Sequence, residues 1–361
     1  MYDIVIGIPS YNEGSNISFV AEQLDLGLQK YYQGKKAVIV NVDGGSTDNT
    51  KECFLNTETK TEKKHLCKKG VNGKGNVLKI LFEFVKENQA EAVMIVDADL
   101  RSINPEWVKH MLEPIFNGYD YCTPLYSRHK YDGTITNHIV YPLIYGLFGI
   151  DIRQPIGGDF SFSGKIVEYW LSQQWSESTG QFGIDNFMTT CAITGGFKIC
   201  QVGLGAKIHK PSAPNLGKMF IEVVDTFFND IFKSKDFISN VSEIKKTEIF
   251  GIGLGEPQEL EVDKHEIREK ALEGMKKFEN LYKELGIEVS KNINAEKWCT
   301  IVYSFLNNFR KEYIEARSYL YFARVYSFIE ETENLSSKQA EEKIKKEAQL
   351  FFDKRGNYVK S

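Results

Sequence analysis

Two carboxylates stand one residue apart in Asp97-Ala98-Asp99, directly after the apolar run Ala92-Val93-Met94-Ile95-Val96. Carboxylates placed this way can hold a hard divalent cation, Mg2+ or Mn2+, and leave most of its coordination positions to phosphate oxygens. An isolated D-x-D is more often a solvated loop, but its position after a buried strand favours the cation. Pro9-Ser10-Tyr11-Asn12-Glu13 and Val42-Asp43-Gly44-Gly45-Ser46-Thr47-Asp48-Asn49-Thr50 add an aromatic ring and carboxylates. Such a set can sandwich a nucleobase and accept its N–H groups. Ser46, Thr47 and Asp48 read equally as a turn that caps the next helix, and the two readings are compatible. In Gly73-Lys74-Gly75-Asn76 a glycine-flanked lysine opens a helix, where backbone amides can face an anion and the lysine adds a point charge.

The elements that must carry these residues alternate between strand and helix. Asp3 to Pro9 is a short apolar run stopped by proline, and Lys36 to Asp43 is a second. A helix is expected from about Ser15, a good N-cap, and another over Asn76 to Glu87, where Val77, Ile80, Leu81, Phe84 and Val85 share a face. Strands apolar throughout and joined by helices imply a parallel sheet covered on both sides. Ligands of such sheets bind beyond the carboxyl ends of the strands, and Pro9, Asp43 and Asp97 all stand at those ends. Three loops therefore converge on one crevice.

The pattern changes near residue 220. Ile267, Ala271, Met275, Phe278, Tyr282 and Leu285 keep helical spacing, and Ala295 to Glu331 reads as one long helical stretch rich in aromatics. Ser336 and Ser337 are candidate caps of a last helix, while Gly251 to Pro257 reads as a loop. Tyr303, Phe305, Phe309, Tyr319, Tyr321 and Phe322 are expected in a core or at a subunit contact, which points to a homodimer or higher homo-oligomer.

Bulk properties exclude several classes. Hydrophobic residues make up 42% of the 361, enough for a sizeable core. With a net charge of −4 there is no basic field to recommend nucleic acid or an anionic membrane as partner. An anionic ligand must then be met by local cations, amides or a metal. The longest apolar stretch, Ile139 to Ile150, is shorter than the roughly 20 residues that cross a bilayer. Six cysteines without C-x-x-C pairing read as reduced thiols, and Met1-Tyr2-Asp3 leads directly into a strand. The expectation is a soluble cytoplasmic protein.

Taken in order, P-S-Y-N-E, V-D-G-G-S-T-D-N-T, G-K-G-N and D-A-D resemble the glycosyltransferases of family 2 type with the GT-A fold. That resemblance implies a Rossmann-like mixed α/β sheet over residues 1–220, followed by a mainly helical region over 221–361. Arg128, Asp132 to Thr136, Arg153-Gln154-Pro155-Ile156-Gly157-Gly158-Asp159, Gly183 to Asn186 and Ala206-Lys207-Ile208-His209-Lys210 narrow it. They are similar to the group of mannosylglycerate, glucosylglycerate and glucosyl-3-phosphoglycerate synthases. The resemblance implies Asp99 and His209 as metal ligands, with Asp97 near the metal or the ribose. It places Pro9, Tyr11, Glu13, Asp43 and Lys74 along the nucleotide, and Gly157, Gly158 and Asp159 against the donor sugar. Asp185 falls under the reacting centre, and Arg128 with Thr136 grips the acceptor's carboxylate. For His209 and Arg128 taken alone, a packed histidine and a surface cation are the commoner readings.

The implied reaction moves mannose or glucose, with retention, from GDP-mannose, GDP-glucose or UDP-glucose to D-glycerate or a similar small hydroxy acid. A compatible-solute role would follow from that acceptor. Pro-Ile-Gly-Gly-Asp stands where relatives using phosphorylated glycerate tend to have Pro-Leu-Ala-Gly-Glu, which leaves the acceptor open, and the lack of an extra arginine cluster for a phosphate in the sequence leans toward an unphosphorylated one. The nearest alternative is an inverting family 2 enzyme, although the Q-x-x-R-W motif of the processive members is absent from the sequence. A sugar-phosphate nucleotidyltransferase would want a G-x-G-T-R loop where Pro9 to Glu13 stands. A non-catalytic nucleotide-binding module would have no reason to keep Asp97, Asp99 and His209.

Overall fold

The computed structural model describes residues 1–208, 216–288 and 292–359. Its strands are β1 (Ile4–Ser10), β2 (Ala37–Asp43), β3 (Glu62–Cys67), β4 (Ala92–Ile95), β5 (Tyr121–Ser127), β6 (Ile150–Asp151), β7 (Phe160–Ser163), β8 (Ile199–Ala206), β9 (Lys245–Lys246) and β10 (Glu248–Gly251). Helices α1 (Ile17–Tyr31), α2 (Thr50–Asn56), α3 (Lys74–Asn88), α4 (Pro105–Phe116), α5 (Tyr141–Phe148), α6 (Gly164–Ser172) and α7 (Ile184–Thr194) lie between the first eight. The later helices are α8 (Leu216–Lys233), α9 (Lys235–Ser239), α10 (Lys264–Lys277), α11 (Glu279–Glu284), α12 (Ala295–Asn307), α13 (Ile314–Thr332), α14 (Ser337–Lys354) and α15 (Gly356–Val359). Two compact units result. One takes the described residues of Met1–Ser127, Gln154–Pro214 and Thr247–Glu256, the other those of Arg128–Arg153, Asn215–Lys246 and Pro257–Ser361.

The first unit is built on an eight-stranded sheet of order β10-β8-β5-β7-β4-β1-β2-β3. Strand β7 runs antiparallel to β4 and β5, and the other pairings are parallel, so the sheet is mixed. Alternating side chains of β1 feed two cores. Ile4, Ile6 and Ile8 join Val20 and Leu24 of α1 and Trp107 and Met111 of α4. Val5 faces Val77, Leu81 and Phe82 of α3 with Trp170 of α6. Because both faces are covered, β1 and β4 are buried along their whole length. The chain leaves β1 for β2 on one side and later returns to β4 on the other. The order therefore reverses between β1 and β4, and a crevice opens at their carboxyl ends.

Helix α1 starts one residue later than the cap at Ser15 predicts, because Asn16 N–H and Ile17 N–H both donate to Glu13 C=O and wind the entry one step further. Strand β3 went unread because Glu62-Lys63-Lys64-His65 is half-exposed at the sheet edge and carries no apolar alternation. Strand β10 ends where a loop was read, and it pairs in parallel with β8.

The division also departs from a single cut at residue 220. Thr247–Glu256 returns to the first unit through β10, whereas Arg128–Arg153 belongs with the helices. The cause of the second departure is apolar packing, since Tyr141 of α5 clusters with Phe328 of α13 and Ala340, Ile344 and Ala348 of α14. The single helix expected over Ala295 to Glu331 is broken into α12 and α13. Ser336 caps α14 in a capping box with Gln339. Tyr303, Phe305, Tyr321 and Phe322 are buried core residues, and among the described residues no helix is long and apolar enough to cross a membrane.

Within this second unit the Arg324 guanidinium donates to Glu331 at 2.8 Å and Glu347 at 2.9 Å, and His138 Nδ1 lies 3.3 Å from Glu347. Burial opposes ionisation of Glu347, but Arg324 and His138 outweigh it and hold its carboxyl below the usual 4.5. Burial also pushes His138 below its usual 6.5. Both folded values lie under the unfolded ones, so both groups give stability that is present at neutral pH and lost as pH falls through them. Thermal melts between pH 7 and 3 should show a declining midpoint; Glu347→Gln should remove the part below 4.5 and steepen the part above it, because His138 loses the carboxylate that holds its pKa up. An unchanged slope would overturn the assignment.

Candidate active site

Strands β1 and β2 end in register, with Ser10 opposite Asp43, and their loops are tied together. Asn12, at φ +56°, donates its N–H to Ser46 Oγ at 2.8 Å and accepts from Thr47 N–H at 2.8 Å. Glu13 N–H donates to Thr50 Oγ1 at 2.8 Å and Gly14 N–H to Asp48 Oδ2 at 3.1 Å. Asp43 Oδ1 accepts from Gly45 N–H at 2.8 Å and Ser46 N–H at 2.6 Å, so this carboxylate organises the turn. The turn reading of Ser46 to Asp48 thus holds beside any ligand role. Pro9 is buried within β1, and Glu13 Oε2 accepts from Asn16 Nδ2 at 2.7 Å. Tyr11 is 60% exposed, leaving a ring face open to a planar ligand.

A cluster of three aspartates and two lysines lies beyond β4. Lys74 Nζ, on the first turn of α3, is 3.0 Å from Asp97 Oδ1 and 3.5 Å from Asp185 Oδ1 on the first turn of α7. Lys207 Nζ, just past β8, is 2.8 Å from Gly157 C=O, 2.9 Å from Asp159 Oδ2 and 3.5 Å from Asp97 Oδ2. Asp159 is fully buried and also accepts from Tyr126 Oη at 2.6 Å and from Asp97 N–H at 2.9 Å. Gly158 has φ +92°, and a Cβ there would overlap Asp97 Oδ2, so glycine lets this turn close onto the carboxylate. Burial pushes the Lys74 ammonium down, but Asp185 and Asp97 outweigh it and raise its pKa. Burial raises the Asp185 carboxyl against the pull of Lys74.

Several expectations change here. Two amides of the Gly73-Lys74-Gly75-Asn76 segment are taken within the protein: Gly75 N–H donates to Gln181 C=O at 3.1 Å and Asn76 N–H to Gly180 C=O at 2.8 Å. A Cβ at Gly75 would overlap Thr179 C=O, so the glycine serves this close approach. Asp159 was expected against the donor sugar, yet both its oxygens are spent inside the protein. The two oxygens of Asp97 face lysines. Lys207 joins the cluster although nothing in Ala206-Lys207-Ile208-His209-Lys210 marks it apart from the neighbouring Lys210. Arg128 and Thr136 belong to the second unit, where Arg128 lies 3.7 Å from Asp132 and Thr136 is buried. His209 lies outside the described residues.

The donor set suits a hard divalent cation, since it offers carboxylate oxygens and no thiolate. With Asp97 turned to the lysines, the half-buried Asp99 is the carboxylate through which a cation would be held, other positions falling to substrate oxygens. Among the described residues no group of three or more His, Cys, Asp or Glu could hold a metal unaided.

Residues 5–169 match the sequence model of the family described as Glycosyl transferase family 2. Mannosylglycerate synthase of Rhodothermus marinus is 26% identical over 145 residues, 38% of this chain and 36% of the relative. Protein CsbB of Bacillus subtilis is 27% identical over 171 residues, 46% of this chain and 50% of the relative. The matches thus span half or less of these relatives' lengths. The structure of glucosyl-3-phosphoglycerate synthase from Mycobacterium tuberculosis with Mn2+, UDP and glucosyl-3-phosphoglycerate superposes with a TM-score of 0.53 at 20% identity, covering 64% of this chain and 80% of that one. Another structure of that enzyme holds Mg2+ and UDP, again with a TM-score of 0.53 at 20% identity and the same coverage. The fold is GT-A.

Proposed function

We propose that this chain is a divalent-cation-dependent glycosyltransferase that moves a hexose from a nucleotide-diphosphate sugar to glycerate or a similar small hydroxy acid. The observation that carries the reading is the convergence, at the carboxyl ends of β1, β2 and β4, of an open aromatic face with a cluster of buried and half-buried lysines and aspartates. The Tyr11 face and the tied loops around Glu13 and Asp43 suit a nucleobase and ribose. Lys74, with Asp97 and Asp185 as two neighbours, has a third N–H to give to a diphosphate oxygen. A divalent cation, when bound at Asp99, supplies Lewis-acid neutralisation of charge on the leaving group.

In the reaction the sugar C1–O bond to phosphate breaks and the diphosphate keeps the electron pair. The acceptor oxygen bonds to C1 from the same face, and its proton passes to the departing phosphate oxygen. Asp185 stabilises the positive charge that grows on the sugar ring. The resemblance assigns Arg128 and Thr136 to the acceptor's carboxylate and His209 to the metal.

The test is a screen that pairs GDP-mannose, GDP-glucose and UDP-glucose with D-glycerate, 3-phosphoglycerate and no acceptor, with Mg2+ or Mn2+. An α-linked product formed only with metal and a glycerate-type acceptor is expected. Donor hydrolysis without such a product would keep the donor half and overturn the acceptor.

A further inference from the structure

Lys207 is 4% exposed at its side chain, and its three N–H groups meet three acceptors: Gly157 C=O, Asp159 Oδ2 and Asp97 Oδ2. An ammonium so committed has nothing left for a substrate phosphate. It is also fixed by its backbone. Lys207 N–H donates to Ser127 C=O at 3.3 Å, while Ile208 N–H donates to Ser102 Oγ at 3.1 Å and its C=O accepts from Arg101 N–H at 2.9 Å. The segment after β8 is thereby fastened to the residues that follow the Asp97-Ala98-Asp99 turn.

We propose that Lys207 is a positioning residue and internal counter-ion that sets the cation affinity of the Asp97-Ala98-Asp99 turn. Its charge opposes a divalent ion arriving at the same turn, so metal binding alone is weak. It becomes tight only when a diphosphate adds its own negative charge. Lys74 adds to the same opposition but keeps an N–H for the diphosphate, which separates the two lysines' roles. The coupling to a diphosphate rests on the glycosyltransferase reading; the effect on the metal alone does not.

The test is Mn2+ binding to the full chain, read by the loss of the free-ion EPR signal, with and without UDP or GDP. In the unsubstituted protein either nucleotide should tighten Mn2+ by about tenfold or more, since an opposite charge within a few ångströms shifts ionic equilibria by about that factor. Lys207→Met should bind Mn2+ alone about tenfold more tightly, and Lys207→Arg should stay near the unsubstituted protein. A purely structural lysine would leave metal affinity unchanged or weakened on removal, and that result in a folded Lys207→Met overturns the proposal. Should that variant fail to fold, the unsubstituted protein still decides, because equal Mn2+ affinity with and without a bound nucleotide also overturns it. If neither nucleotide binds, the glycosyltransferase reading fails by itself, and Mn2+ binding to Lys207→Met and Lys207→Arg continues to test the lysine.

Discussion

Replacing Asp185 by alanine is expected to lower kcat by about 100-fold to 1,000-fold while nucleotide affinity stays within about threefold. The carboxylate is buried on the first turn of α7 and has Lys74 at 3.5 Å, in surroundings where charge is poorly screened. In the proposed reaction a negative group there acts mainly on the positive charge that develops as the C1–O bond breaks, so its loss falls on turnover. Removing it also frees Lys74 from one of two acids, and nucleoside diphosphate binding should hold or tighten slightly. Calorimetric titration with UDP and GDP beside single-turnover kinetics separates the two quantities. A large fall in affinity at unchanged turnover would sink the assignment. The pH profile gives a second reading. Burial raises this carboxyl above the usual 3.8 for an aspartate. In the proposed reaction the ionised form is the working one, so kcat should fall on the acid side at a higher pH than an ordinary aspartate would impose. Asp185→Asn should lack that limb.

The sheet core of the first unit was legible because the apolar runs leading to Pro9, Asp43 and Asp97 fall on β1, β2 and β4. Their convergence follows from parallel topology alone. What the sequence concealed was partnership. Nothing in Gly73-Lys74-Gly75-Asn76 announces that the amides of Gly75 and Asn76 are taken by Gln181 and Gly180, about a hundred residues on, because the pairing depends on where the chain before α7 runs. Asp159 reads the same whether it faces a sugar or a lysine, and only the close packing of Tyr126 and Lys207 decides. Lys207 was hidden for the opposite reason: one lysine among 45 Lys and Arg residues carries no signal until β8 delivers it to the cluster. The split between units was missed at residues 128–153 because an apolar stretch does not say which partner it will pack against.

Asp159→Ala is expected to cost about 3–5 kcal/mol of stability, the range for breaking a buried, hydrogen-bonded ion pair by removing one partner. Three donors would be stranded together: the Lys207 ammonium, Tyr126 Oη and Asp97 N–H. In a unit of this size each kcal/mol moves the melting midpoint by about 2–4 °C, so the variant should melt roughly 10 °C lower. Tyr126→Phe removes only one neutral donor and leaves the lysine pair intact, which should cost about 1–2 kcal/mol. The ordering matters more than any one value, because it distinguishes an internal anchor from a sugar-binding carboxylate. A side chain that only faced a donor sugar could be removed with little change in melting and a large loss of donor affinity. If Asp159→Ala melts within about 2 °C of the unsubstituted protein and loses donor binding instead, the anchor role is wrong. The expectation first read from Gly157-Gly158-Asp159 would then be restored.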